Sequence, residues 1–340
     1  MFMKLSFILP CYNVERYITD CLNSIYSQDL SEDDFEVICV NDCSTDGTRP
    51  IIADYSQKHS NLILIDHECN LTAGGARNTG IDYAKGEYIW FVDPDDLIKP
   101  NSVGELCRIM VERGLDVLFF NFDDVDERLC LLRKDRTYPN GEETWSGQEY
   151  IAKFFSGKMN AFGIVWRCLF RTRFLQDEDI RYPIMRKAQD VVFLWKVMLR
   201  AEKVSSVEKA YYNYRCNPYS VIHKQTEAKV AFSDRILRAY QIELMLHNDK
   251  VAILPSIKFD MVRSAEWCVN SNLMLLSRMP REELNLYYDE IINHRDAVDC
   301  VKHYMNRKNR LLFDDVFGRC YWILKAQMLC RMQTKKSRKS

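Results

Sequence analysis

Tyr88-Ile89-Trp90-Phe91-Val92-Asp93-Pro94-Asp95-Asp96 is the stretch that decides how this chain is read. Its unbroken apolar run, closed by a turn, predicts a buried strand. Carboxylates then crowd the strand's C-terminal end. Like charges at such spacing are unfavourable unless a cation or a set of donors offsets them. A hard divalent cation holding a diphosphate meets that need, because Mg²⁺ and Mn²⁺ take oxygen ligands and share them with substrate phosphates. The plainer reading is a solvated turn, since Pro and Asp are ordinary turn residues.

Working outward, strand and helix patterns alternate through the first 125 residues. Apolar runs at Leu5–Leu9, Phe35–Val40, Leu62–Ile65, Tyr88–Val92 and Leu115–Phe122 predict strands. Helical spacing covers Val14–Ser27, Ile51–Lys58, Ala73–Ala84 and Val103–Arg113. Repeated strand–helix units imply an α/β fold with a mainly parallel sheet flanked by helices. Ligands of such sheets bind at the C-terminal strand ends, where Pro10, Asp42 and Asp93 all fall. From Glu127 to Arg215 the pattern loosens. Leu129–Arg133, Arg136–Tyr138 and Val204–Tyr214 read as strands, and Gly147–Phe155 and Ala188–Ala201 as helices. Beyond about Thr226 the spacing is helical, over Ala228–Leu246, Ile257–Leu276 and Arg281–Asn293. The expected division is a catalytic domain over 1–225, with a donor half to about 125 and an acceptor half over 126–225, then a helical region over 226–340.

The chain has 340 residues, 47% of them hydrophobic and 28% charged, the balance of a soluble globular protein. A net charge of −1 excludes a general polyanion binder, and no nucleic-acid partner is expected. The 13 cysteines are scattered, with no CxxC pair and no zinc-like spacing, which favours reduced thiols and a cytoplasmic setting. Met1-Phe2-Met3-Lys4 runs straight into a strand pattern without the features of a signal peptide, and no run is long enough for a transmembrane helix.

The remaining chemistry sits in the loops after the strands. They read Pro10-Cys11-Tyr12-Asn13-Val14-Glu15, Asn41-Asp42-Cys43-Ser44-Thr45-Asp46-Gly47-Thr48, Asn70-Leu71-Thr72-Ala73-Gly74-Gly75-Ala76-Arg77-Asn78-Thr79-Gly80 and Asp93-Pro94-Asp95-Asp96. Taken singly, Asp42 and Ser44 would serve as helix caps and Arg77-Asn78 as a solvated helix face. As an ordered set they resemble the nucleotide-sugar glycosyltransferases of family 2, enzymes of GT-A fold and, in this subset, of bacterial cell-surface polysaccharide synthesis. The resemblance is specific over about residues 4 to 122 and weaker to about 222.

That resemblance implies a nucleotide site of Pro10, Tyr12, Asn13, Glu15, Asp42, Ser44, Asn70, Gly75, Arg77 and Asp93. Asp42 would accept from a base N–H, Arg77 would meet base or phosphate, and Asp93 would meet ribose or a metal-bound water. Asp95 would bind Mn²⁺ or Mg²⁺, with His223 as a second ligand. Within Lys187-Ala188-Gln189-Asp190-Val191, Asp190 matches the family's catalytic base, which deprotonates the acceptor hydroxyl for inverting attack. Gln189 departs from the Glu common there. Trp166, Arg167 and Gln189 are the residues expected near the acceptor.

The implied reaction moves a sugar from a nucleotide-diphosphate sugar, with UDP preferred on resemblance, to a saccharide or lipid-linked saccharide acceptor. The alternative is a sugar-nucleotide-binding scaffold without transferase activity. A nucleotidyltransferase would need a Gly-rich basic loop after the first strand, and a Rossmann oxidoreductase a G-x-G-x-x-G; neither is present. The tail carries aromatic and apolar residues at helical spacing, and basic residues without an acid after Asp315. It suits peripheral contact with an anionic membrane or packing on the protein, and the helical region leaves room for a homo-oligomer.

Overall fold

The first apolar run forms β1 (Leu5–Cys11), buried at every residue. Continuous burial is what a strand covered on both faces requires. The computed structural model describes residues 4–135, 137–138, 143–154, 163–216, 228–248, 250–276 and 294–306. After β1 come α1 (Ile18–Tyr26), β2 (Phe35–Asn41), α2 (Thr48–Lys58), β3 (Leu62–Asp66), α3 (Thr72–Tyr83), β4 (Tyr88–Phe91), β5 (Leu97–Ile98) and α4 (Val103–Arg113). Then follow β6 (Val117–Val125), β7 (Leu131–Lys134), α5 (Gly147–Phe154), β8 (Cys168–Arg171), α6 (Thr172–Asp177), α7 (Gln189–Arg200) and β9 (Val204–Arg215). The later helices are α8 (Ala228–Leu246), α9 (Pro255–Leu276) and α10 (Arg295–Val301). None of the described helices is long and apolar enough to cross a membrane.

The chain divides into two compact units, Met1–Gln225 with Asp249–Asp260, and Thr226–Asn248 with Met261–Ser340. The first holds the sheet, in the order β3-β2-β1-β4-β8-β6-β9-β5, with β7 paired to β6. β3, β2, β1 and β4 are mutually parallel in sequence-matched register, so Cys11 lies beside Asn41 and Asn41 beside Asp66. Register therefore brings the loops after β1, β2, β3 and β4 to one edge. Beyond β4 the sheet is mixed. β8 runs antiparallel between β4 and β6, and β6 and β9 are parallel.

Helix packing follows the apolar spacing. α1 buries Ile18, Cys21, Leu22 and Ile25, one face at intervals of three and four. It begins four residues later than its apolar pattern, because Asn13 takes a positive φ of 54° and the Val14 and Glu15 N–H groups bond to the next loop. α3 lies very close to β1: a Cβ on Gly80 would collide with Ile8. α7 buries residues on most of its circumference, from Val191 to Leu199, which marks an interior helix. Phe7, Phe35, Trp90, Phe120 and Tyr212 are among the core aromatics, each worth on the order of 1.5–3 kcal/mol of burial.

Four elements differ from the sequence pattern. β8 and α6 occupy 168–177, where no element is expected, because β8 is short and its neighbours supply its burial. Tyr138 is not in a strand; its N–H and C=O bond instead to the Asn121 side chain. β5 is a two-residue strand against β9, below what periodicity can register. Arg136, the helix expected over Arg281–Asn293, and the tail lie outside the described residues.

The second unit packs apolar faces of α8, α9 from Met261 onward, and α10. Ile236, Ala239 and Ile242 are buried on α8, Ala265 and Cys268 on α9, and Val298 and Val301 on α10. The Tyr304 hydroxyl donates to the buried Glu243 carboxylate, which satisfies both groups.

Candidate active site

The loops after β1 and β2 are built against each other. Asn13 N–H donates to Ser44 Oγ at 3.1 Å, and Thr45 N–H donates to Asn13 Oδ1 at 2.8 Å. Val14 N–H donates to Thr48 Oγ1 at 2.7 Å and Glu15 N–H to Asp46 Oδ2 at 3.1 Å, while Glu15 Oε2 accepts from Gly47 N–H. Asn13, Glu15 and Ser44 thus shape one wall with their own side chains. Pro10 is buried at the end of β1, and Tyr12 stands half exposed beyond it.

Asp42 is buried just past β2. Its Oδ1 accepts from Leu71 N–H at 2.8 Å and from His67 Nδ1 at 2.8 Å. Asn70 donates to the Asp42 carbonyl at 3.1 Å and accepts from Thr72 N–H at 3.2 Å. Thr72 opens α3 with a φ of 68°, a costly conformation for a β-branched residue. Such strain persists where the surroundings over-determine it. Gly75 sits one turn on, where a Cβ would come within 2.6 Å of Leu71 Cβ.

Arg77 joins the two halves of the site. Its guanidinium is buried, with Nη2 2.7 Å from Asp93 Oδ1 and Nη1 2.9 Å from Asp190 Oδ1. Expected as a nucleotide contact, Arg77 here spends both terminal nitrogens on carboxylates. Burial opposes its charge, but Asp190 and Asp93 outweigh that and hold it firmly protonated. Tyr182 packs over the guanidinium at 5.4 Å and stacks on Phe193 at 4.0 Å. Asn78 clamps the same segment, accepting from Tyr182 N–H at 2.8 Å and donating to Tyr182 C=O at 3.1 Å.

Asp190 lies in the first turn of α7, the end of a helix that favours negative charge. Burial pushes its carboxyl up, Arg77 pulls it down and Asp93 pushes it up again, leaving it at about 6. A carboxylate near that value is matched to taking a proton at neutral pH.

The Asp93-Pro94-Asp95-Asp96 turn is fixed from below. Asp93 N–H donates to Tyr212 Oη at 3.1 Å, and that hydroxyl donates to Asp96 Oδ2 at 2.9 Å. Arg215 N–H donates to Asp96 Oδ1 at 2.8 Å. Burial, then Asp95 and Asp93, push the Asp96 carboxyl well above the usual range. Asp96 therefore anchors the turn, while Asp93 and Asp95 stand partly exposed at its rim. Their oxygen-only chemistry fits a hard divalent cation, which accepts one or two carboxylates and completes its shell with phosphate and water. Among the described residues no group of three or more His, Cys, Asp or Glu side chains is placed to hold a metal by itself. His223 lies outside the described residues.

The residues expected near the acceptor are placed otherwise. Trp166 is buried and stacks between Tyr212 at 4.5 Å and Tyr214 at 5.6 Å. Arg167 is 2% exposed, pairs with Asp135 at 3.0 Å and lies 4.1 Å over Tyr138. Both are core residues, because aromatic stacking and a buried ion pair satisfy them internally. Gln189 is also buried, its amide against Gly74 and 3.5 Å from Thr72 Oγ1. It wedges α7 against the start of α3. His67 and Tyr212 have supporting positions that no sequence motif singles out, while Thr79 falls in the loop that carries Arg77 and Tyr182 in the lead-in to Asp190.

The sequence profile described as Glycosyl transferase family 2 matches residues 6–178. The chain belongs to that family. Among relatives, the Staphylococcus aureus poly(ribitol-phosphate) beta-N-acetylglucosaminyltransferase TarS is 35% identical over 214 residues, covering 62% of this chain and 35% of TarS. The uncharacterized glycosyltransferase EpsJ of Bacillus subtilis is 31% identical over 259 residues, covering 73% of this chain and 71% of EpsJ. The crystal structure of S. aureus TarS 1-349 in complex with UDP-GlcNAc superimposes with a TM-score of 0.63 at 27% identity, over 92% of this chain and 87% of that one. The family 2 chain described here thus has the GT-A fold and spans about a third of the full length of TarS.

Proposed function

We propose that this family 2 chain is an inverting glycosyltransferase that moves a hexose or N-acetylhexosamine from a UDP-sugar to a hydroxyl of a cell-surface polysaccharide or lipid-linked glycan. The observation that carries it is the Arg77 bridge, which holds Asp93 from the donor side and Asp190 from α7 on one guanidinium. TarS, crystallised with UDP-GlcNAc, supports the choice of uridine donor. Asp42, Tyr12 and the wall formed by Asn13, Glu15 and Ser44 would receive the nucleotide, and Asp93 the ribose.

The chemistry follows from the placement. Asp190 takes the proton of the acceptor hydroxyl. The oxygen forms a bond to the anomeric carbon from the face opposite the diphosphate, and the bond from that carbon to the β-phosphate oxygen breaks, so configuration inverts. UDP leaves with the electron pair. A divalent cation, Mn²⁺ or Mg²⁺, held by Asp95 with Asp93 beside it, would supply neutralising charge to the diphosphate when bound. Arg77 favours the ionised form of the partly buried Asp190 and fixes its direction.

The test is calorimetric titration with UDP, GDP and dTDP, each with Mn²⁺ and with EDTA, followed by turnover of a UDP-sugar panel. Metal-dependent binding of UDP with transfer from one sugar is the expected result. Binding without transfer, under every donor and acceptor tried, would favour a sugar-nucleotide-binding protein.

A further inference from the structure

We infer that His67, with Thr79 behind it, is a positioning residue that sets which nucleobase Asp42 accepts, an inference that rests on Asp42 facing the base of the donor. His67 lies outside the motifs that define the site, and Thr79 is the unassigned position between Asn78 and Gly80 of the third loop. His67 follows β3 directly, and its side chain is only 8% exposed. Its backbone is pinned independently: His67 N–H donates to Asn41 C=O at 3.0 Å, and Cys43 Sγ lies 3.1 Å from its carbonyl. The side chain is therefore available for a purpose other than holding the loop.

A carboxylate oxygen accepts, so the proton on the imidazole sits on Nδ1 and is directed at Asp42 Oδ1, 2.8 Å away. The other ring nitrogen, Nε2, meets Thr79 Oγ1 at 2.9 Å. Thr79 lies on α3, two residues after Arg77, so the helix whose Arg77 pairs with Asp190 also supplies the partner of the imidazole. Leu71 N–H is the second donor to the same oxygen, at 2.8 Å. Among the described residues both donors go to Oδ1 and none to Oδ2. The carboxylate is thereby locked in rotation, with Oδ2 as its acceptor for a ligand.

A fixed, buried acceptor discriminates by what the ligand offers. Uracil presents an N3–H and completes a hydrogen bond. Cytosine presents a lone pair at N3 and leaves the carboxylate unmatched, which a buried polar group tolerates poorly. Releasing Oδ1 from His67 lets the carboxylate turn and blunts that distinction.

The experiment is calorimetric binding of UMP, UDP and CMP to the parent chain and to His67→Leu, His67→Asn and Thr79→Val, with donor KM and kcat for each. The parent should prefer UMP over CMP by on the order of 100-fold. His67→Leu should weaken UMP and UDP by a common factor of roughly 10–30 and narrow the UMP-to-CMP ratio about tenfold, raising donor KM more than it lowers kcat. His67→Asn, whose amide nitrogen can stand where Nδ1 stands, should recover part of the loss. Thr79→Val, which keeps shape and removes the hydroxyl, should lose about 3–10-fold and carries the test if His67→Leu does not fold. Unchanged UMP binding in the variants, or an unchanged UMP-to-CMP ratio, overturns the inference. A parent chain that binds GDP or dTDP but no uridine nucleotide overturns instead the choice of donor beneath it, and one that binds none removes the donor reading itself.

Discussion

The loops after β1–β4 and the segment from Trp166 to Asp190 both border the site, yet they are held by different forces. The donor-side loops are held by short polar bonds, such as Asn13 with Ser44 and Thr45, and Asp42 with Leu71 and His67. The other segment is held by burial: Trp166 between two tyrosines, Tyr182 on Phe193, and α7 sunk into the interior. On the first side, polar residues line the site. On the second, Arg167, Thr172 and Gln189 are internal, Arg173, Asp177, Glu178, Asp179 and Arg186 are exposed, and Asp190 is the one reached by Arg77. A polar side chain thus means a different thing on each side.

The largest expected effect breaks that exception. Asp190→Asn should lower kcat by about 10²–10⁴-fold while UDP affinity stays within about threefold, measured by steady-state transfer and calorimetry. Full turnover in that variant would remove Asp190 from the base role. In the parent, kcat/KM should fall tenfold per pH unit below about 6, because the base works ionised and its carboxyl sits at about 6. Arg77 pulls that value down, so Arg77→Ala should move the acid limb to higher pH, in a pH–rate profile of the variant. The same change leaves two carboxylates facing each other. Each is about a quarter exposed, at 27% for Asp93 and 25% for Asp190. Solvent screens them in part, and the expected stability loss is about 1–3 kcal/mol, below that of a fully buried pair.

This contrast also explains what could be read in advance. The parallel block β1–β4 was legible because strands covered on both faces are unbroken apolar runs, and its loops because they follow those strands directly as an ordered set of motifs. β8 escaped because its apolar run, Cys168-Leu169-Phe170, is only three residues long between Arg167 and Arg171. Arg167 misled because charge in sequence does not show whether a partner such as Asp135, 32 residues away, waits inside. His67 was silent for the opposite reason: its meaning lies in Asp42 and Thr79, which only the fold brings to its two nitrogens.

A smaller effect sharpens the role of close packing on the donor side. Gly80→Ala gains helix propensity of about 1 kcal/mol, but its Cβ meets Ile8, fully buried in the middle of β1. Overpacking of about 1–3 kcal/mol exceeds that gain, so the variant should unfold at lower urea with an unchanged slope.

The smallest effect tests the other side directly. Trp166→Phe keeps an aromatic ring in the Tyr212–Tyr214 stack and removes the larger indole, so a loss of about 1–2 kcal/mol from the resulting cavity is expected in urea unfolding. If Trp166 serves only the core, donor and acceptor KM should stay within about twofold of the parent, since its burial keeps it from any sugar. Should acceptor KM rise several-fold while stability holds, the stack must open when the acceptor binds, and the two sides would differ less in kind than their resting structures indicate.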